Sequence, residues 1–284
     1  MPLLSIIIVN FNGANYIEAC LNSVFESDVN FKFEVILVDN NSQDNSLEIL
    51  EKFKDKISLI INEKNMGFSY ANNQAAKVSK GELLFLLNND TKIETQTIQK
   101  LIDYQKENPD LGAIMPRLLN ADGSIQCPGS SLNHWRYKSS KPTKVPFLSG
   151  AAIVMTKKLY TEVGGLDENY FFYTDDIDLS KTLIRKGYVL MYYPLAQLIH
   201  YGGLSTKTRK VGSLIEGYRG GIYFSQKHYI KPISILYRFV LMFDILLNLI
   251  INGLLFFRKE SKDLFFGYLE ILRINITNDV ILKR

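Results

Sequence analysis

Asp175, Asp176 and Asp178 stand together in Tyr173-Thr174-Asp175-Asp176-Ile177-Asp178, directly after the aromatic run Tyr170-Phe171-Phe172. Three carboxylates within four positions are poor core material, because each buried charge has to be paired or neutralised. They suit a site that takes a proton from a hydroxyl or helps to hold a cation. Adjacent carboxylates raise each other's proton affinity, so either Asp175 or Asp176 can be the base. A plainer use stays open. Thr174-Asp175-Asp176 can cap a helix and offset its dipole, and Asp178 fits that role best. Two more carboxylates end apolar runs, Asp39 after Val35–Val38 and Asp90 after Leu83–Leu87. A strand-end Asp can accept from a base N–H or a ribose hydroxyl, or simply close a turn. Asp90-Thr91 can likewise cap a helix.

The apolar pattern predicts what positions these residues. Leu4–Val9 is a continuous run of the kind buried on both faces of a parallel sheet. Asn12-Gly13 breaks it. Tyr16–Phe25, Asp44–Phe53 (capped by Asp44 or Ser42), Phe68–Val78 and Thr95–Gln105 have helical spacing, with Ala71, Ala75 and Ala76 as small inward positions. Strands are expected at 35–38, 57–61, 83–87, 147–155 and 189–193, and a helix over Asp176–Lys186. Residues 112–148, punctuated by Pro116, Pro128, Pro142 and Pro146, read as irregular, with Asp122-Gly123 as a turn. Alternating strands and helices predict a mostly parallel, Rossmann-like α/β sheet flanked by helices. Ligands of such sheets collect at the carboxyl ends of the strands. Here those ends are Asn10-Phe11-Asn12-Gly13, Asp39-Asn40-Asn41-Ser42, Asn62–Gly67 and Asn88-Asn89-Asp90, all polar, with Lys64 the one basic residue. Such an edge suits a nucleotide.

Several motifs, in order, resemble the inverting family 2 glycosyltransferases over residues 4–205. These are Ser5–Gly13, Val38-Asp39-Asn40-Asn41-Ser42, Asn62–Asn73, Leu86-Leu87-Asn88-Asn89-Asp90, Gly164–Leu179 and His200–Ser205. The resemblance implies a GT-A-like fold, with a donor half over about 1–92 and an acceptor half over about 93–205. It implies nucleotide-sugar contacts at Asn10, Asn12, Asp39, Asn41, Asn65, Gly67, Asn72, Asn88, Asp90 and Gly150. The family places a metal-binding Asp-x-Asp where this chain has Asn88-Asn89-Asp90, so Asp90 is the remaining carboxylate for Mg²⁺ or Mn²⁺. A hard cation with oxygen ligands neutralises the leaving diphosphate. His200 corresponds to the family's metal-contacting histidine; alone, it would read as structural or exposed. The family's Glu-Asp reads Asp175-Asp176 here, which nominates Asp176 as base. Rhamnosyltransferase-type bacterial members look most similar, implying dTDP-rhamnose as donor and a polysaccharide or lipid-linked glycan as acceptor.

Other residues carry two uses each. Gly164-Gly165 and Ser149-Gly150 would allow close backbone approach to a sugar. Trp135 and residues 170–173 can stack on a sugar or fill a core. Lys207, Arg209 and Lys210 can close over a diphosphate or sit in solvent. Asn275-Ile276-Thr277 is a chance glycosylation match.

Composition frames the whole. The chain has 284 residues, 46% apolar, with a net charge of +4, enough for a sizeable core. Residues 201–284 hold 13 Lys+Arg against 6 Asp+Glu, while the rest is slightly acidic. This basic, apolar tail, 206–284, is expected to be helical and to meet a membrane surface rather than nucleic acid. Its stretch 233–257 is long enough to span a bilayer. Arg238 and Asp244 inside it would each cost about 2.5–3.5 kcal/mol at a bilayer centre. Asp244, Asn248 and Asn252 share one helical face, which favours an interfacial helix over a spanning one, and a spanning one over a purely internal one. Cys20 and Cys127 form no pairing or metal pattern, and the amino terminus has no basic leader. Both features predict the cytoplasmic side of the cell membrane. A catalytically silent nucleotide-sugar-binding scaffold is the alternative function, and a nucleotidyltransferase a weaker one, since the first loop lacks the basic residues a triphosphate needs. No GxGxxG follows the first strand, against a dinucleotide oxidoreductase.

Overall fold

The computed structural model describes residues 1–129, 131–202 and 210–282. Its first half runs β1 (Leu4–Asn10), α1 (Ile17–Phe25), β2 (Phe33–Asp39), α2 (Ser46–Glu51), β3 (Ser58–Ile61), α3 (Phe68–Val78), β4 (Leu83–Asn88), β5 (Thr91–Ile93) and α4 (Thr97–Glu107). Then come β6 (Leu111–Leu119), β7 (Ile125–Gln126), α5 (His134–Tyr137), β8 (Thr143–Lys144), β9 (Ala152–Thr156), α6 (Lys157–Glu162), α7 (Asp175–Arg185) and β10 (Val189–His200). Three longer helices follow, α8 (Lys210–His228), α9 (Lys231–Leu254) and α10 (Lys259–Thr277).

Among the described residues one sheet holds all the strands, in the order β3-β2-β1-β4-β9-β6-β10-β5, with β7 beside β6 and β8 beside β10. β3, β2, β1 and β4 are mutually parallel, as their uninterrupted apolar runs require. All seven residues of β1 are buried, and Ala71 and Ala75 of α3 are fully buried. β9 runs antiparallel to both β4 and β6, so the sheet is parallel in its first half and mixed beyond it.

Three differences from the sequence expectation matter for the site. β6 lies inside the stretch read as irregular, and its Pro116 pairs with Tyr193 beside a register shift between Tyr193 and Gln197. Proline is tolerated in a strand at such an irregularity, where the ladder is interrupted. The same shift lets β10 continue past Pro194 to His200. Asp90-Thr91 is not a helix start. Thr91 opens β5, antiparallel to the end of β10, and its hydroxyl donates to the Asn88 carbonyl at 2.8 Å.

The chain divides into two compact units, Met1–Asp167 with Asp176–Ser205, and Glu168–Asp175 with Thr206–Arg284. In the second, α9 is apolar enough to cross a membrane by length and composition, with a mean hydropathy of 2.0. Its outward residues include Leu236, Phe239, Val240, Phe243, Leu247 and Ile250. Its polar groups meet α8 and α10 instead. Tyr218 donates to Asp244, Arg238 bonds to Asn275, and Asn275 Nδ2 donates back to the Arg238 carbonyl at 3.2 Å.

Candidate active site

The ends of β1, β2 and β4 are laced together by short polar side chains. Asp39, fully buried, accepts from Asn10 Nδ2 (2.9 Å), Ser42 Oγ (2.7 Å) and the Ser42 amide (2.9 Å). A carboxylate has about four lone-pair positions, so about one remains for a ligand. Asn10 Oδ1 in turn accepts from Asn89 Nδ2 at 2.7 Å. Asn12 and Asn41, at φ 51° and 65°, take the left-handed conformation that asparagine tolerates and turn each strand end outward. The Asn12 amide donates to Ser42 Oγ, and its Oδ1 accepts from the Gln43 amide at 2.7 Å. A Cβ on Gly13 would overlap both Asn10 Oδ1 and Asn89 Nδ2, so any larger residue there has to displace those two side chains.

Asn40 ties the next loop in. Its Nδ2 donates to the Gly67 carbonyl (3.1 Å) and its Oδ1 accepts from Asn62 Nδ2 (2.8 Å). Asn65 Oδ1 accepts from the Gly67 amide at 2.9 Å, which opens α3. Asn72 is buried and donates to the Phe68 carbonyl one turn earlier.

Asp90 and His200 are 110 positions apart in sequence and meet through the β5–β10 ladder. His200 pairs with Thr91 in that ladder, and the Tyr201 amide donates to the Asp90 carbonyl at 2.9 Å. Asp90 Oδ1 lies 3.3 Å from His200 Nε2. That oxygen is buried and receives no hydrogen bond. Asn88 Nδ2 is 3.4 Å from the same ring nitrogen. An orphaned carboxylate oxygen facing an imidazole nitrogen fits a cation, because a positive charge between them satisfies both. Among the described residues no group of three His, Cys, Asp or Glu side chains converges, so a cation here would need ligand oxygens or water as well.

Asp176 lies on the first turn of α7, held against the loop that enters β9. Its Oδ2 accepts from the Gly150 amide (2.8 Å), while Ser180 Oγ, one turn on, accepts from the Leu148 amide (3.0 Å). Positions i and i+4 thus grip alternate residues of one loop from one helix face. The Asn88 amide donates to the Ala151 carbonyl at 3.0 Å, so the Asp176 loop and the Asp90 strand end are neighbours. Desolvation pushes the Asp176 carboxyl above the usual carboxylate range, against the amides of Gly150, Ile177 and Asp176 itself, which favour its charge. Asp175 is buried and opens α7.

Gly165, at φ 73°, and Leu166 pack onto Asn73 and Tyr160, with the Leu166 amide donating to Asn73 Oδ1 at 3.0 Å. Tyr170 is buried against Tyr223, while Trp135 is exposed and stacks with Arg136. Lys210 pairs with Glu260. Lys207 and Arg209, with Gly203-Leu204-Ser205, lie outside the described residues. Sequence reasoning placed Asn40 in the polar end of β2 without giving it a role, and missed Gln126. Nothing local marks Gln126, since its role comes from strands brought together by the sheet.

The model of the family described as glycosyl transferase family 2 matches residues 5–164. An O-antigen biosynthesis protein, RfbC, of Myxococcus xanthus is 25% identical over 227 residues, 72% of this chain and 18% of that protein. An N-acetylglucosaminyl-diphospho-decaprenol L-rhamnosyltransferase of Mycobacterium tuberculosis is 25% identical over 208 residues, 61% of this chain and 67% of that protein. The chain therefore spans less than a fifth of the first relative and about two thirds of the second. Among solved structures, the mannosyltransferase PcManGT of Pyrobaculum calidifontis, in complex with GDP-Man and Mn²⁺, aligns over 98% of this chain and 88% of its own, with a TM-score of 0.61 at 15% identity. A UDP complex of TarS from S. aureus aligns over 80% and 67%, with a TM-score of 0.57 at 20% identity. These likenesses assign a GT-A-like fold, and the family match covers more than half of the sequence. The chain belongs to glycosyl transferase family 2.

Proposed function

We propose that residues 1–205 transfer a sugar from a nucleotide diphosphate sugar to a hydroxyl of a polysaccharide or lipid-linked glycan, inverting the anomeric centre. The observation that carries this is the pairing, on one sheet edge, of the orphaned Asp90 oxygen beside His200 with the loop-held Asp176 carboxylate. Asn10, Asn12, Asp39 and Asn41 would meet the nucleoside, with Asn65 and Gly67 at the opening of α3 and Asn72 one turn into it. Asp90, His200 and Asn88 would hold Mg²⁺ or Mn²⁺, which offsets the charge of the departing diphosphate.

In an in-line displacement the acceptor oxygen bonds to the anomeric carbon. The carbon–oxygen bond to the diphosphate breaks, and its electron pair leaves with the diphosphate. Asp176 takes the acceptor proton, a task its raised proton affinity suits. Asp175 assists by position, and Gly150 fixes the base. The name of the mycobacterial relative favours rhamnose as the sugar. Residues 206–284 attach the enzyme to the cytoplasmic face of a membrane, with α9 lying in the interface on its outward apolar face and its polar residues turned to α8 and α10.

The test is nucleoside diphosphate release from dTDP-, UDP- and GDP-sugars, with Mg²⁺, Mn²⁺ or chelator, for the wild type and Asp176→Asn. Metal-dependent release from one donor, lost in the variant, supports the proposal. Donor binding without turnover, even with glycan extracts as acceptor, would replace it with the scaffold function.

A further inference from the structure

Gln126, on the two-residue strand β7, touches His200 from the side away from Asp90. Its Oε1 lies 2.7 Å from His200 Nδ1. An amide can face a ring nitrogen with either its oxygen or its nitrogen, so the direction of this bond depends on what fixes the amide. A chain of hydrogen bonds fixes it, and that chain starts at a group able only to accept.

Asp122 Oδ1, in the turn between β6 and β7, accepts from Ser124 Oγ (2.6 Å) and from the Ser124 amide (2.9 Å). Those bonds hold the Asp122 carboxyl below its ordinary range, so it is a carboxylate near neutral pH. With its proton spent on Asp122, Ser124 Oγ accepts from Asn120 Nδ2 at 2.9 Å. Asn120 therefore presents Oδ1 on its other side, where Gln126 Nε2 donates at 3.1 Å. The same Nε2 reaches the His200 carbonyl at 3.5 Å. Gln126 is left with Oε1 toward the imidazole, and only an Nδ1–H can answer it.

We propose that Gln126 is a positioning residue. Polarised by Asp122, Ser124 and Asn120, it holds His200 as the Nδ1–H tautomer and leaves Nε2 as a lone pair on the side of Asn88 and Asp90. It does so against the pull of the Asp90 carboxylate 3.3 Å away, which alone would favour Nε2–H. A ligating histidine needs its second nitrogen held by an acceptor, and this turn supplies that acceptor. The assignment deepens the cation site proposed above and rests on it for its purpose, although the tautomer itself can be read without metal.

The experiment is long-range ¹H–¹⁵N NMR of the full-length, metal-free protein at a pH where the ring shifts report neutral imidazole. With three histidines in the chain, His200 is assigned by the signal lost in His200→Gln. The wild type is expected to show a single Nδ1–H tautomer. Gln126→Met, near in size but without an acceptor, should give a mixture with Nε2–H and weaken Mn²⁺ binding, read by EPR, about 10–100-fold. Gln126→Glu keeps an acceptor oxygen and should restore both, which separates lost polarity from lost fold. A wild-type ring protonated on Nε2, or a Gln126→Met protein unchanged in tautomer and Mn²⁺ affinity, would overturn the proposal. A wild type with the Nδ1–H tautomer that Gln126→Met disrupts, yet with no Mn²⁺ affinity, supports the positioning role and counts against the cation site alone.

Discussion

The Gly150 amide lies 2.8 Å from Asp176 Oδ2, and it binds the carboxylate without neutralising it. An asparagine carbonyl at position 176 can keep that bond while losing basicity. Asp176→Asn is therefore expected to fold normally and to lose about 10²–10⁴-fold in kcat, the usual contribution of a general base. Because burial raises the proton affinity of Asp176, the acid limb of the wild-type rate profile should lie above the ordinary carboxylate range. Activity then falls as pH drops through that raised value. A variant that retains wild-type kcat would move the base to Asp175.

The same burial has a stability consequence of opposite sign. With its proton affinity raised on folding, native Asp176 binds more proton than the unfolded chain between the two pKa values. Stability from this group is thus greatest below the unfolded value and is lost as pH rises through the folded one. Asp176→Asn removes that cost, so its Tm at pH 7 should exceed the wild type's, and the gain should vanish at strongly acidic pH. Thermal melts at the two pH values check this directly. Catalysis, not stability, is what an ionised carboxylate here would serve.

Gly13 sits inside the Asn10–Asn89 bond, where a methyl group has no room. Gly13→Ala should break that bond and disturb Asn10 against Asp39. Leaving a buried polar pair unsatisfied costs about 1–3 kcal/mol. A rise of about tenfold in the donor KM, with a smaller change in kcat, is the expected outcome in steady-state assays. An unchanged KM would remove Asn10 from the donor crevice.

Much of this architecture was legible in the sequence, for a physical reason. Parallel strands buried on both faces are unbroken apolar runs, and α3 lies over Phe68–Val78 as its spacing predicts. What was hidden is non-local. Pro116 disguises β6, because its tolerance depends on an irregularity in another strand. Thr91–Ile93 is too short to register alone and becomes a strand only by pairing with β10. Asp90 and His200 could be nominated singly from family motifs, but their 3.3 Å approach is created by that pairing. Gln126 carries no local signal at all, and Asn40 stands in a marked strand end that says nothing of its own contacts. Their importance lies in which atom each turns toward a neighbour, a property no spacing encodes.

Cys20 and Cys127 should differ in reactivity. Cys20 is fully buried beneath Asn88 and Thr91, and burial pushes its thiol up to about 12. The thiolate is the reactive form, so Cys20 is inert in the native state at neutral pH. Cys127 is partly exposed. A thiol reagent should label one cysteine per chain under native conditions and two after denaturation, as counted by mass spectrometry. Native labelling at Cys20 would show that the β4–β5 corner opens.

The α9 helix gives the sharpest physical choice. An interfacial helix needs one wide apolar face and polar groups turned to protein or water. Phe239 and Phe243 lie on the outward face, more than half exposed, whereas Arg238 and Asp244 are engaged by α10 and α8. Burying one such phenylalanine in a bilayer interface gains about 1.5–3 kcal/mol. Phe239→Ser with Phe243→Ser should therefore weaken binding to anionic vesicles by more than tenfold, without loss of donor hydrolysis in detergent. Alkaline carbonate should release the wild type from membranes, since a helix lying in the interface has no span to retain it. Retention after carbonate would instead require a spanning α9, with Arg238 and Asp244 carried into the bilayer as partnered groups.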